Sequence, residues 1–128
     1  MARAVARLGA DAQGQAVAAD QGLGAGLVAW LRALPQLQPI GLGLASGDPA
    51  DAARLARLAR DAFERAAGSR RLLPKRAAAA LYSGPGVGRL LSGILENKVN
   101  ILEEEVVITP FQRRASLARL ALTGRWWR

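Results

Sequence analysis

The chain is 128 residues long and carries eighteen Lys plus Arg against ten Asp plus Glu, a formal charge of +8, with no cysteine and no histidine. That excludes disulfides, thiol nucleophiles and Cys-based metal sites, removes the side chain most used as general base or transition-metal ligand, and favours an anionic partner. A composition 51% hydrophobic but only 5% aromatic, rich in Ala, Leu, Arg and Gly, predicts an all-α fold in a single domain over residues 1–128.

The first ten residues are Arg-rich and free of acids until Asp11, as in a mitochondrial presequence, and residues 2–8 read as a short helical arm. A longer helix is expected from Asp11 or Ala12 to Leu34, ended by Pro35 and Pro39. Residues 22–35, GLGAGLVAWLRALP, hold three glycines at a spacing of two. Each costs a helix interior about 1 kcal/mol relative to Ala, so a closely packed neighbour is expected to compensate. Ala16, Ala19, Gly22 and Gly26 step by three or four residues and predict the small-residue face. Gly22, Gly26, Trp30 and Arg32 are the expected helix-packing or partner contacts. The uncharged stretch after Arg32 runs only to Gly47, and its Pro and Gly content makes it a loop rather than a membrane span.

Asp48-Pro49 opens the clearest helix, with Asp48 as N-cap, Pro49 at N1 and Asp51 in the first turn. Leu55, Leu58, Ala59, Ala62, Phe63 and Ala66 predict its apolar stripe, and Arg57 with Asp61, Arg60 with Glu64 and Asp61 with Arg65 its outer ion pairs. Gly68 is the expected stop. Arg70, Arg71, Lys75 and Arg76 surround Leu73-Pro74, a set that suits phosphate or anionic lipid, with a solvated loop as the plainer account. Pro74 opens a helix through Tyr82, and the glycines from Gly84 to Gly88 bend the chain without the Lys-Ser/Thr of a P-loop. From Val87, the positions Leu90, Leu91, Ile94, Leu95 and Leu102 give a helical core stripe. The β-branched Val106, Val107 and Ile108 favour an extended connection. Thr109-Pro110-Phe111-Gln112 is a capping box that starts a last helix with Phe111, Leu117, Leu120 and Ala121 facing inward. The closing Arg125-Trp126-Trp127-Arg128 pairs indoles with cations, as at a lipid headgroup layer, or closes the core.

The stretch from Gly22 to Pro35 resembles the second-aspartate helix of the squalene/phytoene synthase family, G-x-A-x-Q-x-x-N-x-L-R-D. Gly22, Leu27, Leu31 and Arg32 fall on that pattern, while Gly26, Ala29 and Ala33 stand where Gln, Asn and Asp would be. The family's non-catalytic mitochondrial branch, an assembly factor for respiratory complex I, is more similar, and Gly22, Gly26, Val28, Leu31, Arg32, Ala33 and Pro35 fit its version. Leu73-Pro74, Ala78, Leu91, Ile94, the Asn100-Ile101-Leu102 step, Arg113, Leu117, Leu120 and Trp127 follow the family's C-terminal order, with Asn100 and Leu102 departing from the usual Asp and Phe. A synthase is well over twice as long, so the resemblance covers only its C-terminal part.

The resemblance implies a partial isoprenoid-synthase-like bundle of about five helices. Prenyl synthases clamp diphosphate through Mg²⁺ between carboxylates on two facing helices. One of those helices is not encoded here, and the other has Ala33 at its leading acid. No catalytic, cofactor or metal residues are therefore expected, and Asp48 and Asp51 read as capping residues. The implied function is a non-catalytic accessory or assembly subunit of a mitochondrial inner-membrane respiratory-chain or ATP synthase complex. Such a subunit is expected to sit peripherally on the membrane, contact other protein subunits, and touch lipid headgroups through Arg70, Arg71, Lys75, Arg76, Arg125, Trp126 and Trp127. The alternative is a basic nucleic-acid-binding protein such as a mitochondrial ribosome component, disfavoured because the few aromatics are not interleaved with the basic cluster. A surviving prenyl-transfer enzyme comes third.

Overall fold

A computed structural model describes residues 11–74, 77 and 80–123. Four α-helices make up the described fold: α1 (Ala12–Leu37), α2 (Pro49–Gly68), α3 (Val87–Leu95) and α4 (Pro110–Thr123). Short 3-10 turns lie at Gln38–Ile40 and Arg70–Leu72, and no strand occurs among the described residues. The protein is all-α, with four α-helices among the described residues where about five are expected over the whole chain; the arm at residues 2–8 lies outside the described residues.

Helix α1 begins where Asp11 accepts a hydrogen bond from the Gly14 amide at 2.8 Å. It does not stop at Pro35, which lies inside it. Proline removes one hydrogen bond from the ladder, but the Gln38 amide still reaches the Leu34 carbonyl, so the helix closes one turn later. Gly41, at φ 75°, then reverses the chain. The Gln38 side chain holds the loop by donating to the Leu44 carbonyl and accepting from its amide, both at 2.8 Å.

The buried face of α1 is Gly14, Val17, Ala18, Gln21, Gly24, Val28, Leu31 and Leu34. Of the small-residue face expected for packing, Ala16, Ala19 and Gly26 are exposed and Gly22 is half-buried. A β-carbon added at Gly26 would meet nothing within 4 Å, which corrects its assignment as a packing contact. The reason is energetic: each buried Val or Leu contributes about 1.5–3 kcal/mol, so Val17, Val28, Leu31 and Leu34 choose the inward side. The glycine that packing requires is Gly24, where a β-carbon would stand 2.8–2.9 Å from the Phe63 ring.

Helix α2 starts as expected, with the Asp48 carboxylate accepting from the Ala50 amide at 2.9 Å. Ala52, Ala56, Ala59, Ala62 and Ala66 are almost wholly buried, and side chains this small allow α1 to lie close along them. Leu55 is half-buried and packs against the larger core as expected, whereas Leu58 is 51% exposed and lies outside it. Arg65 reaches across to Asp20 on α1 at 3.1 Å rather than to Asp61, while Arg60 and Glu64 pair at 3.9 Å. Gly68 is the last helical residue, and Ser69 makes the cap.

The helix expected from Pro74 to Tyr82 is not an α-helix where it is described, because Ala77, Ala80 and Leu81 have 3-10 geometry. The bend after it is confirmed by Gly84 and Gly86, at φ 94° and 72°. Helix α3 is short, and Leu102 is buried beyond its end, its amide donating to the Asn100 side chain at 3.2 Å. Two core clusters result. The larger joins Val28, Leu31 and Leu34 of α1 to Ala52, Ala56, Ala59 and Phe63 of α2, the apolar face of α3, Ile101 and Leu102. The smaller gathers Val17, Ala18, Ala66, Ala77 and Leu81.

The capping box of α4 forms reciprocally: the Gln112 amide donates to Thr109 Oγ1 at 3.2 Å and the Thr109 amide to Gln112 Oε1 at 3.1 Å. No residue of α4 is buried. Phe111 is 79% and Leu117 47% exposed, and Ala121 is exposed too; only Leu120 packs, at the edge of the smaller core. The inward set was over-drawn because Phe111 and Leu120 are two and a half helical turns apart, which puts them on opposite sides.

Candidate functional site

Two polar arrangements meet the segment between α2 and α3. In the first, Gln21 is wholly buried on α1 and donates from Nε2 to the Leu81 carbonyl at 2.9 Å and to Ser83 Oγ at 2.6 Å. Arg32, half-buried and about three turns further along the same face, donates from Nη2 to the Pro85 carbonyl at 2.6 Å. Gln21 Oε1 and Arg32 Nε are buried with no hydrogen-bond partner among the described residues. Burial pushes the Arg32 guanidinium below its usual value, with Tyr82 acting in the opposite sense. One face of α1 thus clamps the 81–85 backbone, and Arg32 is a contact within the chain. Trp30 is half-buried against the larger core.

The second arrangement is an open cleft of about 860 Å³ between α2, the start of α3 and α4. Its apolar lining includes Phe63, Ala67, Val87, Leu91, Phe111 and Ala115, and its cations are Arg60, Arg70, Arg89 and Arg119. Phe63, positioned by Gly24, thereby links the core to the cleft. Arg70 Nη1 donates to the Ala67 carbonyl at 3.3 Å, which holds that side chain back along the end of α2. Four guanidiniums face one carboxylate, Glu64. Planar guanidiniums suit bidentate contact with carboxylate or phosphate, so the cleft combines apolar contact with anion recognition.

Only Arg70 and Arg71 of the basic run after α2 are among the described residues. Arg70 lines the cleft and the exposed Arg71 does not, while Lys75, Arg76, Arg125, Trp126 and Trp127 lie outside the described residues. Arg60, Arg89, Arg119 and Phe111 are cleft residues that sequence reasoning missed. Arg60 reads as half of a surface ion pair, and the near thirty-residue intervals between Arg60, Arg89 and Arg119 carry no local signal.

Asp51 accepts from Arg54 at 2.9 Å and from the Ser46 hydroxyl, in keeping with a helix-start role. Glu103, Glu104 and Glu105 are exposed, and Glu104 accepts from the Asn100 amide at 3.3 Å. Among the described residues no group of three or more acidic side chains is placed to hold a metal ion, and no helix is long and apolar enough to cross a membrane. Comparisons with protein-family models, curated proteins and solved structures return no match.

Proposed function

We propose that this protein is a non-catalytic accessory or assembly subunit that works through protein–protein contacts, peripherally on the mitochondrial inner membrane, in a respiratory-chain or ATP synthase complex. The observation that carries the protein-contact reading is α4. It has a well-formed cap, yet Phe111, Leu117 and Leu122 are 79%, 47% and 87% exposed. Val107, just before it, is 75% exposed. A helix held this lightly, with apolar side chains in water, has the composition of an interface awaiting its other half. The mitochondrial setting rests on the resemblance of residues 22–35 and the C-terminal order, and on the Arg-rich start.

The test is purification of the native protein from mitochondria under mild detergent, with its companions identified by mass spectrometry. Stoichiometric recovery of inner-membrane subunits, lost on changing Phe111 and Leu122 to Ser, is expected. A protein that runs alone at its own mass, or with ribosomal RNA, would overturn the reading.

A further inference from the structure

We propose that the cleft between α2, α3 and α4 is a docking groove for an acidic amphipathic helix of a partner protein. The inference rests on the accessory reading and names the chemistry of the partner. One wall is the end of α2 from Arg60 to Gly68, about 12 Å long at 1.5 Å per residue, enough for two turns of a docked helix. Two turns bring side chains at i, i+3, i+4 and i+7 to one face, the spacing by which amphipathic helices anchor in apolar grooves. The exposed Phe111 and Ala115, over a floor formed by the buried Phe63, Val87 and Leu91, offer the apolar surface for those anchors.

The arginines determine the flanks. Arg60 and Arg70 come from α2 and the turn after it, Arg89 from α3 and Arg119 from α4, so cations reach the cleft from more than one side. A docked helix with glutamates or aspartates beside its apolar stripe places carboxylates against them, and the +8 charge of the whole chain steers such a partner in. A small molecule fits less well: small-ligand sites bury about 70–90% of their occupant, whereas this cleft leaves its own Phe111 79% exposed. The mixture of arginine and aromatic surface is that of protein interfaces.

The test uses the full chain and a fluorescein-labelled peptide of about 16 residues, long enough to hold a helix. It carries leucines at i, i+3, i+4 and i+7 and glutamates on the flanks. Fluorescence anisotropy should show saturable binding at least about tenfold tighter than for a peptide of the same composition without a single apolar face, or for one with lysines in place of glutamates. The variant Arg89→Glu/Arg119→Glu, altered at two exposed positions, should lose about tenfold for the acidic peptide and gain affinity for the lysine one. A misfolded variant would bind neither, and circular dichroism identifies that case. Ala115→Trp, which narrows the cleft and leaves all four arginines in the chain, should weaken the acidic peptide without a change of charge. Equal binding of all three peptides, undiminished binding by both variants, or uptake onto phosphatidylglycerol vesicles without peptide binding would overturn the proposal. If native companions stay with the Arg89→Glu/Arg119→Glu protein, the groove assignment falls and the accessory reading stands. If the peptide binds but the native protein has no companion, the groove assignment stands and the accessory reading falls.

Discussion

Replacing Gly24 and Gly26 in turn by alanine separates two things that a glycine in a helix does. Both substitutions gain the same intrinsic helix preference, about 1 kcal/mol. At Gly26 that gain stands alone, because the new methyl meets nothing within 4 Å. At Gly24 the methyl falls 2.8–2.9 Å from three atoms of the Phe63 ring, and relieving such an overlap in a packed core costs about 1–3 kcal/mol. The propensity gain cancels between the two variants, so their difference is the packing cost itself. At about 4 °C per kcal/mol for a chain of this size, Gly26→Ala should melt about 4–12 °C above Gly24→Ala. Thermal unfolding followed by circular dichroism measures the gap, and urea titration checks that the slope is unchanged. Trimming the ring in Gly24→Ala/Phe63→Leu should remove most of the penalty as a coupling energy. If Gly24→Ala melts as high as Gly26→Ala, the register of α1 against α2 is wrong.

Thr109→Ala should remove about 1 kcal/mol of capping from α4 alone, seen as faster amide exchange in residues 110–123 while α1 to α3 keep their protection. Gln21→Ala, which strips the donors from the Leu81 carbonyl and Ser83 and leaves a buried void, should destabilise the whole protein by about 2–4 kcal/mol in urea unfolding; a loss under about 1 kcal/mol would show the clamp to be incidental. Binding to RNA should be weak and fall steeply with salt, with little change on neutralising Arg70, Arg71, Lys75 and Arg76, and tight binding at physiological salt would promote the nucleic-acid alternative. Neither the parent nor Ala33→Asp, assayed in the assembled complex, should release pyrophosphate from farnesyl diphosphate, because one carboxylate cannot hold a Mg²⁺ that demands octahedral oxygen coordination. Mg²⁺-dependent release that is abolished by changing Asp48 and Asp51 to Asn would refute both the capping account and the non-catalytic reading.

What the sequence disclosed was local. The caps at Asp48 and at Thr109 with Gln112, and the glycine bend before α3, each involve a few neighbouring residues, and all are where short-range chemistry puts them. What it hid was decided at a distance. The inward face of α1 depends on Phe63 and the alanines of α2, so counting small residues along α1 picked Gly26 where the packing needed Gly24. Arg65 ignored its neighbour Asp61 for Asp20, forty-five positions away. The cleft is the extreme case, since its four arginines have no local spacing and meet only because α2, the turn after it, α3 and α4 converge.

The loose seating of α4 bears on how long the protein lasts in a cell. Tyr82 and Ser116 share one hydroxyl contact and Leu120 touches the smaller core, so opening of the last helix should cost less than opening α1 to α3. Segments that open at small free-energy cost are cut by proteases in proportion to the time they spend open. A chain made in excess of its companions would then be trimmed from this end and cleared, while one whose α4 is covered would survive. On the accessory-subunit proposal, the same weak attachment would set the amount of protein by the amount of partner, with no dedicated degradation signal needed.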